Sequence, residues 1–396
     1  MPEGDRPGVN PVVYGRVAVA LVLLCGLGAV IAPRFFALPS PTGPYPVGTA
    51  TMTFARLATT SVPAGRYDVQ LWYPAQAAGA RATWGTGGPG LTRLLYSKLV
   101  RTASTPGAAV AEAPQKLPLL LYIPGWGGQR TDNTGLAEEF ASHGYVVAAM
   151  SDPFFDVPSI RRLGVPMDLS TPAGYKETLQ LGREKSDYAT RRASDVLDAL
   201  LDGAAAVPAG LAGRFDHNRI GIYGFSFGGA IALISALRDP RFKAAMNLDG
   251  WITTAGTFPS RRPAPAYALI GGLDPPLTQV DLESEDATQR YTAELNLADD
   301  KLQREHLMRG GGFMVTVAGT DHFSFCDEPR YAVTHWSKTP VDAPRMARII
   351  GGYATGFFDE TLNGRVAVQL EPHAPHDPAV TLERWPATHR LAAAPR

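Results

Sequence analysis

The chain has almost no cysteine. Only Cys25 and Cys326 carry a thiol among 396 residues, and Cys25 lies inside an N-terminal apolar run, so no disulfide framework is available and stability must come from packing. A surplus of charge is also missing, since 37 Lys and Arg offset 37 Asp and Glu. Without a basic block or an RNA-binding signature, nucleic acid is not an expected partner and neither is a strongly acidic one; a small or neutral substrate fits better. No His, Cys and Asp spacing of a metal site is present, and no metal or cofactor is called for. No internal repeat is evident.

What is there begins with Val17–Ala32, VAVALVLLCGLGAVIA, which carries no charge. Counted from Val12 the stretch has 21 residues, and at a rise of ~1.5 Å per residue that spans a hydrocarbon core of ~30 Å. The expectation is an N-terminal transmembrane or signal helix, retained as a signal anchor. The rivals are a removed signal peptide, which Val30 and Ala32 suit but Pro33 disfavours, and a buried helix. Cys25 follows Leu24, a poor lipoprotein box. Arg6 and Arg16 precede the run and Arg34 follows it, a weak positive-inside bias that puts the bulk of the chain outside the cytoplasm, membrane-anchored, or secreted if the segment is cleaved. The expected division is a signal anchor over 1–35, a Pro- and Gly-rich linker over 36–60, a main α/β domain over 61–362 and a C-terminal tail over 363–396. The length exceeds the usual ~100–200 residues per domain, but one large α/β domain with extensions accommodates it.

Within the domain, RYDVQLWYP, LPLLLYIPG, GYVVAAMSD, NRIGIYG, FKAAMNLD, APAYALIGG and GFMVTVAG are strand-length apolar runs bounded by turn residues. Several are continuously hydrophobic, as strands buried on both faces must be. Between them TGLAEEFASHG, SDYATRRASDVLDALLDG and FGGAIALISALRD show apolar residues at helical spacing. Alternating strand and helix predicts an α/β fold, a mainly parallel sheet flanked by helices. Residues 75–115 and 275–311 read as less patterned insertions, lids or solvated decoration.

Gly224-Phe225-Ser226-Phe227-Gly228 matches G-x-S-x-G at the junction of the strand-like NRIGIY and the helix-like FGGAIALISAL. A nucleophile elbow holds its serine in strained backbone at such a turn, and the residues two before and two after must be tiny. Ser226 is therefore the candidate nucleophile. It needs a base and an acid. His143, His217, His373, His376 and His389 read as surface or structural; His322, after the last strand-like run in FMVTVAGTDHFSF, falls in the hydrolase chain order of serine, acid, histidine. Two aspartates compete for the acid: Asp249 in AAMNLDGW, 23 residues past Ser226, and Asp274 in ALIGGLDPP, 48 past it. Spacing alone leaves both open, while Asp321 reads as a cap of the histidine loop. The oxyanion hole needs the N–H of Phe227 and one from the loop after an early strand, where Gly125-Trp126-Gly127-Gly128 offers Trp126; the ordinary alternative is a plain glycine turn.

The elbow GFSFGG, the LDGW segment, the PGWGG loop, LAEEFASHGYVVAAMSD and the DHFSF loop together resemble the plasma and intracellular type II platelet-activating factor acetylhydrolases over roughly residues 60 to 360. The resemblance implies an α/β-hydrolase fold and calcium-independent cleavage of the ester at the second glycerol position of phospholipids with short or oxidised acyl chains. It implies Ser226 as nucleophile, Asp249 as acid, His322 as base, and Trp126 and Phe227 as oxyanion donors; membrane contact is expected separately, from the N-terminal apolar run. Two departures stand out: Phe225 precedes the serine where the family has His, and Pro124-Gly125 opens the loop where the family has His-Gly. The same elbow and Gly-rich loop are similar to those of cutinase-like polyester hydrolases and dienelactone hydrolases, whose acid sits where Asp274 does; the alternatives are therefore a cutinase-like polyester hydrolase or general carboxylesterase, and a catalytically idle α/β-hydrolase used as a binding module.

Overall fold

Every residue of β4 (Leu117–Ile123) is buried, and its two faces go to different places. Leu119, Leu121 and Ile123 join one apolar cluster and Leu120 and Tyr122 the other, as the two-residue period of a strand covered on both sides requires. In the computed structural model the described residues are 19, 21–23, 37–56, 65–85, 100–112, 116–151, 166–203, 207–260, 263–272, 279–327, 343–371 and 373–386. Around β4 run β1 (Val47–Arg56), β2 (Gly65–Pro74), β3 (Thr105–Pro106), β5 (Val146–Met150), β6 (Phe215–Phe225), β7 (Phe242–Leu248), β8 (Ala266–Gly272), β9 (Gly312–Val317) and β10 (Val380–Trp385). They form one sheet in the order β10-β9-β8-β7-β6-β4-β5-β2-β1-β3. The six strands from β9 to β5 are parallel; β2 joins β5, β1 joins β2 and β10 joins β9 antiparallel. The mainly parallel α/β expectation holds.

The helices are α1 (Thr134–Ser142), α2 (Pro172–Leu201), α3 (Phe227–Arg238), the short α4 (Gln279–Leu282), α5 (Ala287–Gly310) and α6 (Ala343–Asn363). Helices α2 and α3 pack together over the Leu119 face, while α1 and α6 cover the Leu120 face. On that second face Phe140 meets Tyr223 and Phe358 edge-on at 5.1 and 5.5 Å. Burying an aromatic or aliphatic side chain of this size contributes about 1.5–3 kcal/mol, so the paired layers supply the stability that disulfides do not.

The expected linker 36–60 is not a linker throughout. Leu38 is buried and its N–H donates to Arg101 O at 3.0 Å, and β1 pairs with β2 along ten positions from Val47↔Pro74 to Arg56↔Gly65. In β1 exposed Thr51 and Thr53 alternate with buried Met52 and Phe54, a period-two signal adjoining the Pro- and Gly-rich PTGPYPVG. The expected tail 363–396 likewise contributes β10, whose Arg384 bonds Glu360 Oε2 at 2.8 Å, so the sheet reaches beyond 61–362 at both ends. Of the expected N-terminal helix only residues 19 and 21–23 are described, helical and exposed; the rest of Val12–Ala32 lies outside the described residues. Among the described residues no helix is long and apolar enough to cross a membrane.

Candidate active site

Strand β6 ends at Phe225 and α3 starts at Phe227, so Ser226 alone makes the turn. It does so at φ 56°, and Ser226 and Asp249 are the non-glycine residues with positive φ among the described residues. Such backbone costs on the order of 1–3 kcal/mol and persists only where the surroundings over-determine it. Here Ser226 N–H donates to Leu248 O at 2.8 Å, and Ser226 O accepts from Gly229 N–H at 2.8 Å. The flanking glycines are obligatory on distance: a Cβ on Gly224 would stand 2.1 Å from Gly228 O, and one on Gly228 would stand 2.2 Å from Ile123 O. The N-terminus of α3 opens beside the serine, where a helix favours developing negative charge.

His322 heads a short 3₁₀ turn, His322–Phe325, just past β9, and Asp321 caps it, its Oδ1 accepting from Ser324 N–H at 3.0 Å. The imidazole bridges two elements far apart in sequence. Its Nδ1 donates to Asp249 Oδ2 at 2.7 Å, and its Nε2 stands 2.8 Å from Ser226 Oγ. Since a carboxylate only accepts, Nδ1 carries the proton and Nε2 presents its lone pair to the hydroxyl. Phe225, where the resembling family has His, stacks on the imidazole with ring centres 4.8 Å apart. Asp249 sits at φ 53° one residue beyond β7; its second oxygen accepts from Gly272 N–H at 2.7 Å and its own N–H donates to Ile270 O at 2.9 Å. Asp274 lies outside the described residues, as does His389. His143 pairs with Glu139 at the end of α1, and His376 with Tyr353.

A buried polar brace behind Asp249 escaped the sequence reading. Asn247, fully buried in β7, accepts from Gly250 N–H at 2.9 Å and donates Nδ2 to Gly250 O at 2.7 Å. Gln303 of α5 also donates to Gly250 O, at 3.0 Å, and accepts from Tyr267 Oη. The turn after Asp249 is thereby fixed from both sides. The one available signal was an asparagine inside an otherwise apolar strand run, two residues before the aspartate.

The Gly-rich loop following β4 lies directly on the serine. A Cβ on Gly125 would come within 3.2 Å of Ser226 Cβ, and Gly127 uses φ 70°. The Trp126 ring meets Phe227 edge-on at 5.1 Å, so both residues expected to donate to an oxyanion flank Ser226. A cavity of about 500 Å³ opens over Ser226, His322 and Asp249. Met167, Leu169, Trp251 and Met314 give it apolar lining, and Asn296 and Asp299 of α5 give it polar lining. Burial pushes the Asp299 carboxyl up to about 6 despite the hydrogen bonds it accepts from Thr253 N–H and Gln303 Nε2, each at 2.9 Å. Among the described residues no group of three His, Cys, Asp or Glu is arranged to hold a metal ion.

Comparison with known proteins agrees with this architecture. Residues 107–298 match the dienelactone hydrolase family, and residues 32–152 match the family of platelet-activating factor acetylhydrolase, isoform II. The platelet-activating factor acetylhydrolase of Bos taurus is 26% identical over 297 residues, 67% of this chain and 67% of that protein. A probable 1-alkyl-2-acetylglycerophosphocholine esterase of Arthroderma benhamiae is 30% identical over 134 residues, 34% of this chain and 31% of that protein. A ferulic acid esterase from Streptomyces cinnamoneus superposes with a TM-score of 0.62 at 23% identity, covering 87% of this chain and 98% of that one. That last likeness shows the fold, an α/β-hydrolase. In sequence the chain is platelet-activating factor acetylhydrolase-like, as its motifs led one to expect.

Proposed function

We propose that this platelet-activating factor acetylhydrolase-like chain is a serine carboxylic ester hydrolase that cleaves short-acyl phospholipid esters through Ser226, His322 and Asp249. The carrying observation is the unbroken hydrogen-bonded path from Asp249 Oδ2 to His322 Nδ1 at 2.7 Å and from His322 Nε2 to Ser226 Oγ at 2.8 Å. Ser226 Oγ attacks the ester carbonyl carbon as its proton passes to Nε2, and the tetrahedral oxyanion accepts from the N–H groups of Phe227 and Trp126. Collapse expels the alcohol, which takes the proton from Nε2 and leaves the acyl group on Ser226. A water activated by the same nitrogen then releases the acid. Asp249 holds the tautomer and stabilises the imidazolium, and no step calls for a metal.

The phospholipid class rests on the relatives named above. The short-acyl preference rests on them too. The test is a panel of p-nitrophenyl esters beside short- and long-chain phospholipids, run with a chelator and with Ser226→Ala as the blank. Acetyl and butyryl esters should outrun palmitoyl below the micellar range, and Ser226→Ala should remove turnover while leaving the fold. Faster palmitoyl hydrolysis, or turnover surviving in Ser226→Ala, would count against the proposal. The dienelactone hydrolase match over 107–298 favours a second reading, a general carboxylesterase or cutinase-like polyester hydrolase, which would turn over aryl or polymeric esters faster than any phospholipid. For localisation, Val12–Ala32 is read as an anchor holding the catalytic domain outside the cytoplasm. A chain beginning at Phe36 keeps the Leu38–Arg101 contact and should lose membrane partition while remaining active.

A further inference from the structure

The two residues read as oxyanion donors share a neighbour that the mechanism does not use. Lys185 lies in the middle of α2 and is fully buried, a place where lysine is rarely found without compensation. Its Nζ stands 4.2 Å from the centre of the Trp126 ring and 5.9 Å from that of Phe227. Those two rings also meet each other edge-on, their centres 5.1 Å apart. One cation therefore faces the side chains of both residues read as oxyanion donors.

A cation over an aromatic face is held by the ring quadrupole, and more firmly when both are out of water. Of the two donor residues, Phe227 is already fixed as the first residue of α3. Trp126 belongs instead to a loop with glycine on both sides and Gly127 at positive φ, its turn closed by Gly128 N–H to Gly125 O at 2.9 Å. Its indole is a large side-chain handle on that loop. We propose that Lys185 is a positioning residue: its buried ammonium grips the Trp126 indole against Phe227 and so holds the Trp126 N–H where the oxyanion forms. The inference rests on the reading of Trp126 and Phe227 as oxyanion donors.

The test compares Lys185→Met, which keeps most of the volume and loses the charge, with Lys185→Arg, which keeps the charge. Loss of an oxyanion donor costs about 10²–10³ in kcat, and a donor displaced but still present should cost less. Lys185→Met should therefore lower kcat on p-nitrophenyl butyrate by about 10- to 100-fold with KM changed less than about threefold. Its affinity for an alkyl trifluoromethyl ketone, which mimics the tetrahedral adduct on Ser226, should fall by the same factor. Lys185→Arg should recover part of both losses. In a Trp126→Leu background, Lys185→Met should have little further effect, because the handle is already gone; should Lys185→Met fold poorly, Trp126→Leu alone must show the same loss in kcat and ketone affinity, and unchanged values there overturn the role of Lys185. Labelling of Ser226 by a fluorophosphonate keeps the two readings apart. A chain that labels, turns over ester and shows kcat and ketone affinity unchanged in folded Lys185→Met overturns the role of Lys185 and leaves the esterase standing. Equal losses in the presence and absence of Trp126, or a change in KM alone, would overturn it as well. A parent chain that neither labels nor turns over ester overturns the esterase reading instead.

Discussion

Asp249→Asn makes the sharpest test of the acid, because the structure dictates how the new carboxamide must sit. Asp249 Oδ1 accepts from Gly272 N–H at 2.7 Å while Oδ2 accepts from His322 Nδ1 at 2.7 Å. An asparagine has only one acceptor oxygen for these two donors. Turning its NH₂ toward Gly272 would leave that N–H unpaired, at a cost of about 1–3 kcal/mol. The productive orientation is thereby confined to roughly 0.6–20% of molecules, from the same range at an RT of about 0.59 kcal/mol. In the other molecules the NH₂ faces Nδ1, the imidazole proton moves to Nε2, and Ser226 loses its base. Even the productive fraction lacks a negative charge to support the imidazolium. Orientation alone gives at least a fivefold loss, and with the missing charge the loss should approach 10⁴ in kcat, or about 5.4 kcal/mol at ~1.36 kcal/mol per tenfold. The assay is kcat on p-nitrophenyl butyrate with thermal unfolding as control, since the side chain keeps its shape. Asp274→Asn, measured alongside, should cost far less. A kcat for Asp249→Asn within tenfold of the parent, or a larger loss at Asp274, refutes the assignment and moves the acid to the position of the cutinase-like enzymes.

Two further outcomes follow from the packing and from burial. In Gly228→Ala the new methyl would lie 2.2 Å from Ile123 O and 2.4 Å from Pro124 O; both are backbone atoms that cannot swing aside, so the variant should lose about 3 kcal/mol or more, or fail to fold. Gly352→Ala, inside α6 with nothing within 4 Å of the new methyl, should instead gain about 0.4–1 kcal/mol; urea titrations of equal midpoint would refute the contrast. For Asp299, the folded carboxyl titrates at about 6, above the ~3.9 of an unfolded aspartate. Protonation is favoured by the fold, so its contribution to stability is complete below about pH 4 and is lost as pH rises to about 6, a span of about 3 kcal/mol. Asp299→Asn should remove that decline and flatten the stability curve between those values, and urea midpoints with an unchanged slope would count against the assignment.

The parts of the molecule legible in the sequence are those where local chemistry forces one residue type. Gly224 and Gly228 are demanded by atoms about 2 Å from an absent Cβ, so the elbow announces itself. β4 and β5 are buried at every position and read as continuous apolar runs. The acid is less legible: the bond from Asp249 to His322 joins residues 73 apart, and nothing in the spacing separates Asp249 from Asp274. Helix α5 was unreadable for a different reason. Its buried face carries Asp299, Gln303 and His306 beside Ala293 and Leu307, so the apolar period that marks most helices is missing from the one that lines the cavity. Strand β10 is a short edge strand with no fully buried residue, which leaves little hydrophobic contrast to find.

The geometry of the site follows from strand pairing more than from any motif. In the parallel ladder Phe225 of β6 is registered with Leu248 of β7, so Ser226 and Asp249 each occupy the first position beyond the same rung. Their turns interlock. Ser226 N–H bonds Leu248 O, while Gly250 comes so close to Ser226 O that a Cβ there would stand 2.0 Å away. Asn247 Oδ1 fills the space a Cβ on Gly229 would take, 1.8 Å from that point, and holds Gly250 N–H from the same atom. The two positive-φ residues are thus one strained unit braced by one carboxamide, so neither turn can relax without pushing on the other. His322 needs only to be brought to this unit, and β9, two strands beyond β7 in the sheet and parallel to it, ends at the same carboxyl edge and delivers it. The separation of 23 positions from Ser226 to Asp249 is therefore the length of one helix and its return to the neighbouring strand, a spacing set by the sheet before any chemistry is asked of it.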